Sequence, residues 1–539
     1  MRVRIRKQSD EIISTQQQLN DLLLERIPDG FRQDFLHPVA ISDLTPAMAG
    51  IDENVLKKAV KRILQAIEKK QNILIFGDYD CDGVTSTAVL WETLFALGVN
   101  AQPFLPHREK HGYGLSQVAL DEIFAKQKPD LLITVDNGIV AHKEIDWLKE
   151  QKIDVIVTDH HEPGENLPNA DSIVHTTQLS GAGVAWFLAK ELLPDFAPSL
   201  LDYVTLGTVS DQIPLVGVTR SLVTYGLKVL QAGERPSLRV LAEIAGVDLS
   251  QTNMNTIHFA LAPRINAIGR LYNAIDALRA LVTRNPDKTR ELMTKLDTVN
   301  TQRQQVTQEA VSEMKANEVT TPEDAITVVV GPYHEGIIGL LATKLVEQYS
   351  KPAIVISNQN ENYKASCRSV PGVHITNILR SLPAELFLSL GGHKLAAGFS
   401  ISQEKFPEML QRLRAQASLL ILPEDLEPTQ FVIGELTWKL LNLETVKTLA
   451  QFEPFGAGNR EPRFLLSSIQ LTDIQPVGKM KNHAQVQIHS LKTKKYLKAI
   501  CFQYEKNGLN QDNVSQVVIK LKVSTYRPGS VDVEIVAAL

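Results

Sequence analysis

The chain has 539 residues, 44% hydrophobic and 22% charged, which excludes a fibrous or largely disordered polypeptide and predicts roughly three or four domains. Its formal net charge of −5 does not announce a polyanion-binding protein, and no apolar run approaches the roughly 18 to 20 residues of a membrane-spanning helix. Three cysteines (Cys81, Cys367 and Cys501), odd in number and far apart, argue against a disulfide scaffold and against a clustered zinc site. The basic start Met1–Lys7 leads into Gln-rich sequence instead of an apolar segment, so a cytoplasmic protein with no membrane partner is expected.

Residues 1–70 read as a helical lead-in, with 51–70 amphipathic and basic on its outer face. A domain over 71–282 follows. Its apolar runs at 72–77, 131–135 and 155–158 have the look of buried parallel strands, and helix-like stretches separate them, as in a mostly parallel α/β sheet. Each run leads into acidic residues or histidines: Asp78, Asp80 and Asp82; Asp136; Asp159, His160 and His161. Ligands of open α/β sheets bind beyond the carboxyl ends of the strands, so three strands bring metal-competent side chains to one edge. Residues 283–320 are expected to form a long connecting helix with a thin apolar face. A smaller α/β domain covers 321–425, with strands at 325–330 and 353–357, and 423–428 reads as a linker. Strict alternation over 426–539 predicts a small β-barrel. From Phe431 to Leu539 there are 14 Lys/Arg and 9 Asp/Glu, a local net of +5 that leaves −10 for the rest. Lys479, Lys481, Lys492, Lys494, Lys495 and Lys498 crowd together; alone, they read more readily as a solvated sheet face than as a binding site.

The strongest motif is Asp78-Tyr79-Asp80-Cys81-Asp82-Gly83. Alternate carboxylates on an extended loop converge on hard cations, and Gly83 permits close backbone approach; the competing reading is a cluster that caps a helix. On an extended segment Cys81 would point away from the carboxylates, into the core. Asp136-Asn137-Gly138 also reads as a simple turn, His160-His161 as an exposed pair, and Asp211 as a helix cap. Together at one sheet edge they form a mixed imidazole–carboxylate set suited to Mn²⁺, Fe²⁺ or Zn²⁺, and a pair of ions there would clamp a phosphate and activate water.

These motifs, in this order, resemble those of the DHH phosphoesterase superfamily, and Gly391-Gly392-His393 resembles the signature of its associated DHHA1 domain. The likeness runs from about residue 30 through Gly112-Tyr113-Gly114-Leu115, 262–267, 334–339 and 454–459. It implies a parallel-sheet DHH domain joined by a long helix to a smaller α/β DHHA1 domain, followed by an OB-type β-barrel. Within the superfamily the match is to single-strand-specific 5′→3′ DNA exonucleases of repair and recombination, which release mononucleotides using two Mn²⁺ or Mg²⁺ ions. The resemblance implies Asp80 and Asp136 for one ion and Asp82, Asp136, His160 and Asp211 for the other. Asp78 and Asp159 would orient these ligands, and Asp78 could also reach an ion.

By the same likeness His161 stabilises charge or hands a proton to the leaving oxygen. Arg108, Ser366 and Arg368 would bind a 5′-terminal phosphate. Arg264, Asn266 and Arg270 would face the strand near the ions, and His393 would close over the reacting phosphate. A channel too narrow for duplex would lie between the two α/β domains. Ala365 and Cys367 would crowd the phosphate pocket slightly, and His107 and Arg460 depart from the usual pattern. The barrel's lysines would line a single-strand groove with Tyr496, Tyr504 and Tyr526 as stacking platforms, and Phe502 would join the barrel core. Single-stranded DNA is the implied substrate, with a single-strand binding protein and a helicase as partners. The rivals are a DHH phosphodiesterase acting on short oligonucleotides or cyclic dinucleotides, and a non-catalytic single-strand-binding scaffold.

Overall fold

The computed structural model describes residues 4–478, 480–509, 514–524 and 529–539. They divide into two compact units: Pro38–Leu426, and Met1–His37 together with Glu427–Leu539.

The first sheet of the larger unit has five parallel strands in the order Gln102–Phe104, Ile73–Phe76, Leu131–Val135, Asp154–Asp159, Ser172–His175. Side chains alternate between two cores. Ile73, Ile75, Ile133 and Ile156 face a large one built with the helices Glu53–Glu68, Cys81–Ala96, Gly181–Leu192 and Leu201–Ser210. Leu74, Phe76, Leu132 and Val155 face a smaller one under Gln117–Lys126 and His142–Glu150. Both faces are covered, which is why these strands read as unbroken apolar runs. The two outer strands escape the sequence pattern because they are short, and Gln102–Phe104 is interrupted by Pro103, a residue tolerated at a sheet edge. Strand order reverses between Ile73–Phe76 and Leu131–Val135, and such a switch point opens a crevice at the carboxyl ends.

A 28-residue helix, Pro286–Glu313, leaves this domain. Leu292, Met293, Leu296 and Val299 belong to the first large core, whereas Ala310 belongs to a second one with Val329, Leu341 and Val355. The thin apolar face thus has a physical reason: opposite ends of one helix are anchored in different cores. The second sheet is mixed, ordered Ser389–Gly392, Ala396–Ser402, Asn362–Arg368, Ala353–Ser357, Thr327–Gly331, with the last two parallel.

In the other unit an eight-stranded sheet contains the strands from Glu435 to Ala538. Here residues 1–70 depart from a purely helical lead-in. Arg4–Lys7 pairs in parallel with Thr429–Val432, and Ile12–Ile13 pairs with Glu435–Leu436. Partners more than 400 residues away leave no local trace in a helix-like sequence. Among the described residues no helix is long and apolar enough to cross a membrane.

Candidate active site

The acidic loop after Ile73–Phe76 is only partly extended. The helix Cys81–Ala96 begins within it, Asp80 is its N-cap with Oδ1 accepting from Gly83 N at 3.0 Å, and Asp82 lies in the first turn. Capping and metal-competent placement therefore coexist, because a helix N-terminus tolerates carboxylates. Cys81 is buried in the large core as expected, but helical geometry turns it there, not alternation along an extended segment. Asn266 fixes the same loop by accepting from Cys81 N at 2.8 Å. A Cβ at Gly83 would meet the Asp78 backbone at 2.7 Å. Gly83→Ala is therefore expected to destabilise the protein by about 1–3 kcal/mol, read as a lower urea midpoint with unchanged slope.

Asp136 follows Leu131–Val135 in a left-handed conformation, φ 64°. Such backbone strain on a residue other than glycine persists only where its surroundings enforce it. Its Oδ1 is buried and accepts no hydrogen bond from the described residues, although His160 Nε2 lies 3.0 Å away. His160 Nε2 is also 3.8 Å from Asp82 and 3.6 Å from Asp211. Asp82 is held by Gly181 N at 2.6 Å and Ala182 N at 3.0 Å, at the start of the helix Gly181–Leu192. Asp211 closes the C-terminal end of Leu201–Ser210, where the helix dipole disfavours an anion. Ligand atoms within 4.8 Å of one another form three trios: Asp78, Asp80 and Asp136; Asp82, His160 and Asp211; Asp136, His160 and His161.

The electrostatics call for cations. Burial, then the charge of Asp80, raises Asp78 from 3.8 to about 8 and Asp82 to about 7. Burial and the charges of Asp82 and Asp80 raise Asp211 to about 8, and the same causes lift Asp136 well above the ordinary value. Burial and the neighbouring His161 lower His160 to about 4, leaving a neutral imidazole fit to ligate. Since the folded values of these carboxylates lie above 3.8, the metal-free fold loses their contribution progressively as pH rises from 3.8, the loss being complete at about 7 to 8. Metal binding displaces those protons. The increment in melting temperature on adding Mn²⁺ to chelator-treated protein is therefore expected to grow between pH 5 and 8, and a pH-independent increment counts against the site.

His161, a member of one trio, also heads a chain of contacts of its own. Its Nδ1 lies 2.8 Å from Asp159 Oδ1 and its Nε2 2.8 Å from the Tyr113 hydroxyl. Burial alone would lower it, but the bond to Asp159 and that carboxylate's charge raise it to about 9. Asp159 also accepts from the backbone N–H groups of Ile139, His160 and His161, so both its oxygens are already engaged. Tyr113, quoted in the sequence only as part of a motif, is the unforeseen member here.

Cations gather next to the acids. The Arg108 guanidinium lies 4.1 Å from the centre of the Tyr79 ring, and its Nε is buried without a hydrogen-bond partner among the described residues. Arg270 donates to Gly336 O at 3.0 Å, so the two α/β domains touch here. Burial, reinforced by Arg108, Arg303 and Arg368, lowers Arg270 to about 10. Arg368 lies 3.3 Å from Ser366 Oγ, and a Cβ at Gly339 would meet both, so the start of the helix Ile338–Tyr349 faces them. The expected crowding by Ala365 and Cys367 does not arise, because both point into the core on the opposite face of the strand. Such a cluster fits a phosphate.

The remaining residues separate. Arg264 is engaged by Asp297 at 2.9 Å and by Ala260 O at 2.6 Å. His393 is exposed, joins none of the three trios, and is held through its backbone by Ala396 and Thr376.

A Haemophilus influenzae protein named single-stranded-DNA-specific exonuclease RecJ is 31% identical over 511 residues, which cover 88% of this chain and 88% of that one. The chain belongs to the RecJ family. Its Bacillus subtilis relative of the same name is 35% identical over 81% of this chain, which spans 57% of that relative's length. A crystal structure of Thermus thermophilus RecJ with Mn²⁺ superposes with a TM-score of 0.80 at 28% identity, covering 100% of this chain and 80% of that one. A second RecJ structure bound to manganese gives 0.59 at 34% identity over 69% of this chain and 95% of that one. The DHH family N-terminal domain matches residues 72–208, the DHHA1 domain 324–419 and the RecJ OB domain 434–536.

In the OB domain of this RecJ-family chain Lys481, Lys494, Lys495, Tyr496 and Lys498 are exposed, and Tyr496 stacks on His489 at 5.5 Å. Tyr504 is half-buried, with its hydroxyl on Glu505. Phe502 is not core: it is 48% exposed, because the strand Tyr496–Cys501 ends one residue earlier and Cys501 takes the inward position. Lys479 and Tyr526 lie outside the described residues.

Proposed function

We propose that the chain is a single-strand-specific 5′→3′ exodeoxyribonuclease that hydrolyses phosphodiester bonds and releases 5′-mononucleotides. The observation that carries this reading is a largely buried acid–imidazole cluster directly beside a cluster of half-buried arginines. Divalent ions fit the first: its donors are carboxylates and a neutral imidazole, Asp136 Oδ1 is left without a hydrogen bond, and the raised carboxylates lack countercharge. Asp80 and Asp136 would hold one Mn²⁺ or Mg²⁺, and Asp82, Asp136, His160 and Asp211 the other, with Asp78 within reach of the first. Bound ions supply Lewis acidity and an activated water.

The chain's own residues do the rest. Asp159 fixes the His161 ring, whose Nε2 would exchange the Tyr113 hydroxyl for the leaving 3′-oxygen and hand it a proton. Arg108, Ser366 and Arg368 take the terminal phosphate and so set 5′ polarity. Arg270 spans from that pocket toward Asp80, while Asn266 holds the acidic loop. Arg264 would have to leave Asp297, and His393 would have to move inward, to meet the strand. The exposed lysines with Tyr496 and Tyr504 would form the single-strand groove of the OB domain. Domain limits of 71–282, 321–425 and 426–539, a setting in cytoplasmic DNA repair, and partnership with a helicase and a single-strand binding protein belong to the same reading.

The deciding assay offers 5′-phosphorylated single-stranded and blunt duplex DNA with Mn²⁺. Mononucleotide release from the single strand, with little attack on duplex, is expected. Binding without release would leave the scaffold reading, and faster turnover of dinucleotides than of long strands would favour a short-oligonucleotide phosphodiesterase.

A further inference from the structure

The segment 334–339, which leads into the helix Ile338–Tyr349, meets the first α/β domain at two points. Gly336 O accepts from Arg270, and no side chain fits at Gly336 because a Cβ there would strike the Arg270 carbonyl. His334 Nε2 lies 3.1 Å from Glu109 Oε1, on the short helix Arg108–His111. The His334 Nδ1 accepts from Gly336 N at 3.0 Å, so in the neutral ring the proton sits on Nε2 and is donated to Glu109. At the other end of the segment Gly339 lies against Ser366 and Arg368, where a Cβ would come within 3.2 Å of Ser366 Oγ and 3.1 Å of Arg368 Nη2. One short stretch thus holds the helix of Arg108, the Arg270 backbone and the Ser366–Arg368 pair. Arg108 itself stacks on Tyr79 and its Nε donates to no described residue, so the placement of its helix decides where the guanidinium points.

We infer that Glu109 and His334 form a latch between the two α/β domains that fixes Arg108 opposite Ser366 and Arg368 and so preassembles the seat for a terminal phosphate; this rests on the 5′-phosphate reading above. Both are positioning residues, acting through Arg108 and through the segment that carries Gly339. Preassembly matters because a phosphate binding between two loose halves must first order them, at a cost to affinity. Loss of the latch should therefore weaken selection of a 5′-phosphate without slowing bond cleavage.

The test measures kcat/KM with Mg²⁺ on single strands bearing a 5′-phosphate or a 5′-hydroxyl. Glu109→Ala and His334→Ala should each lower the ratio of the two roughly three- to fivefold, the range of one partly exposed pair. The fall should come through a higher KM on the phosphorylated strand, with kcat within about twofold. The double variant should lose no more than either single one, because the two side chains act as a unit. Glu109→Gln keeps an acceptor at the same reach and should hold the ratio within about twofold of wild type. Variants of normal melting temperature with an unaltered ratio overturn the inference. So does a double variant whose loss is the product of the single losses, and so does a fall shared equally by both substrates, the mark of a contact that serves the fold alone. Should an alanine variant not fold, Glu109→Asp decides: it keeps the charge but is one methylene short, and an unchanged ratio there overturns the latch equally. A wild type indifferent to the 5′-phosphate would sink the pocket reading itself; a normal wild-type preference with unaffected variants sinks only the latch.

Discussion

Asp136→Asn is expected to lower strand cleavage by roughly three orders of magnitude or more, the loss of several kcal/mol of ion-based stabilisation. The metal-free protein should at the same time melt at a higher temperature. Both outcomes have one cause. Asp136 is buried among Asp82, Asp80, Asp78 and Asp211, and without cations its charge is repelled by theirs. Neutral Asn removes the repulsion and tolerates φ 64°, which alanine would not. It also removes the anionic oxygen assigned to both ions. Differential scanning calorimetry with and without Mn²⁺, beside single-turnover cleavage, reads the two effects. An inactive variant whose metal-free form melts lower would mean that Asp136 serves the fold rather than the ions.

Arg108→Ala should reduce kcat/KM on 5′-phosphorylated strands by roughly 10- to 100-fold, the range of a charge-assisted pair lost. Activity on 5′-hydroxyl strands should hardly change, so the ratio between the two substrates collapses. The reasoning is geometric. Arg108 is stacked at 4.1 Å on Tyr79, one residue from Asp80, and its buried Nε has no described acceptor. The short helix carrying it, Arg108–His111, is anchored by His111, whose Nδ1 accepts from His107 N at 2.9 Å and whose Nε2 meets Glu122 at 3.2 Å. A variant that keeps its preference for 5′-phosphate would refute the pocket.

Much of the site could be read along the chain because its candidate metal-holding residues sit immediately after apolar strands. Asp78, Asp80 and Asp82 follow Ile73–Phe76, Asp136 follows Leu131–Val135, and His160 follows Asp154–Asp159. In a parallel sheet that placement alone sends them to one edge. Four features stayed hidden, each for its own reason. The helix starting at Cys81 is decided by Asp80 capping Gly83, which an alternating acidic pattern does not distinguish from an extended loop. The family likeness places Arg264 against the bound DNA, yet it meets Asp297 on a helix 33 residues on. Tyr113 reaches His161 across 48 positions. The strands Arg4–Lys7 and Ile12–Ile13 exist only because distant partners do.

The residues alone therefore determined the α/β architecture, the chemistry of the acidic edge and the family motifs, because buried-strand composition and strand-end placement are local properties of a chain. Tertiary structure decided which charges oppose one another, which arginines lie without an acidic partner beside the acids, and which carboxylates are already engaged by hydrogen-bond donors. Those depend on distances between helices and loops far apart in sequence, and such distances are fixed only when the cores around Trp186 and Leu341 close.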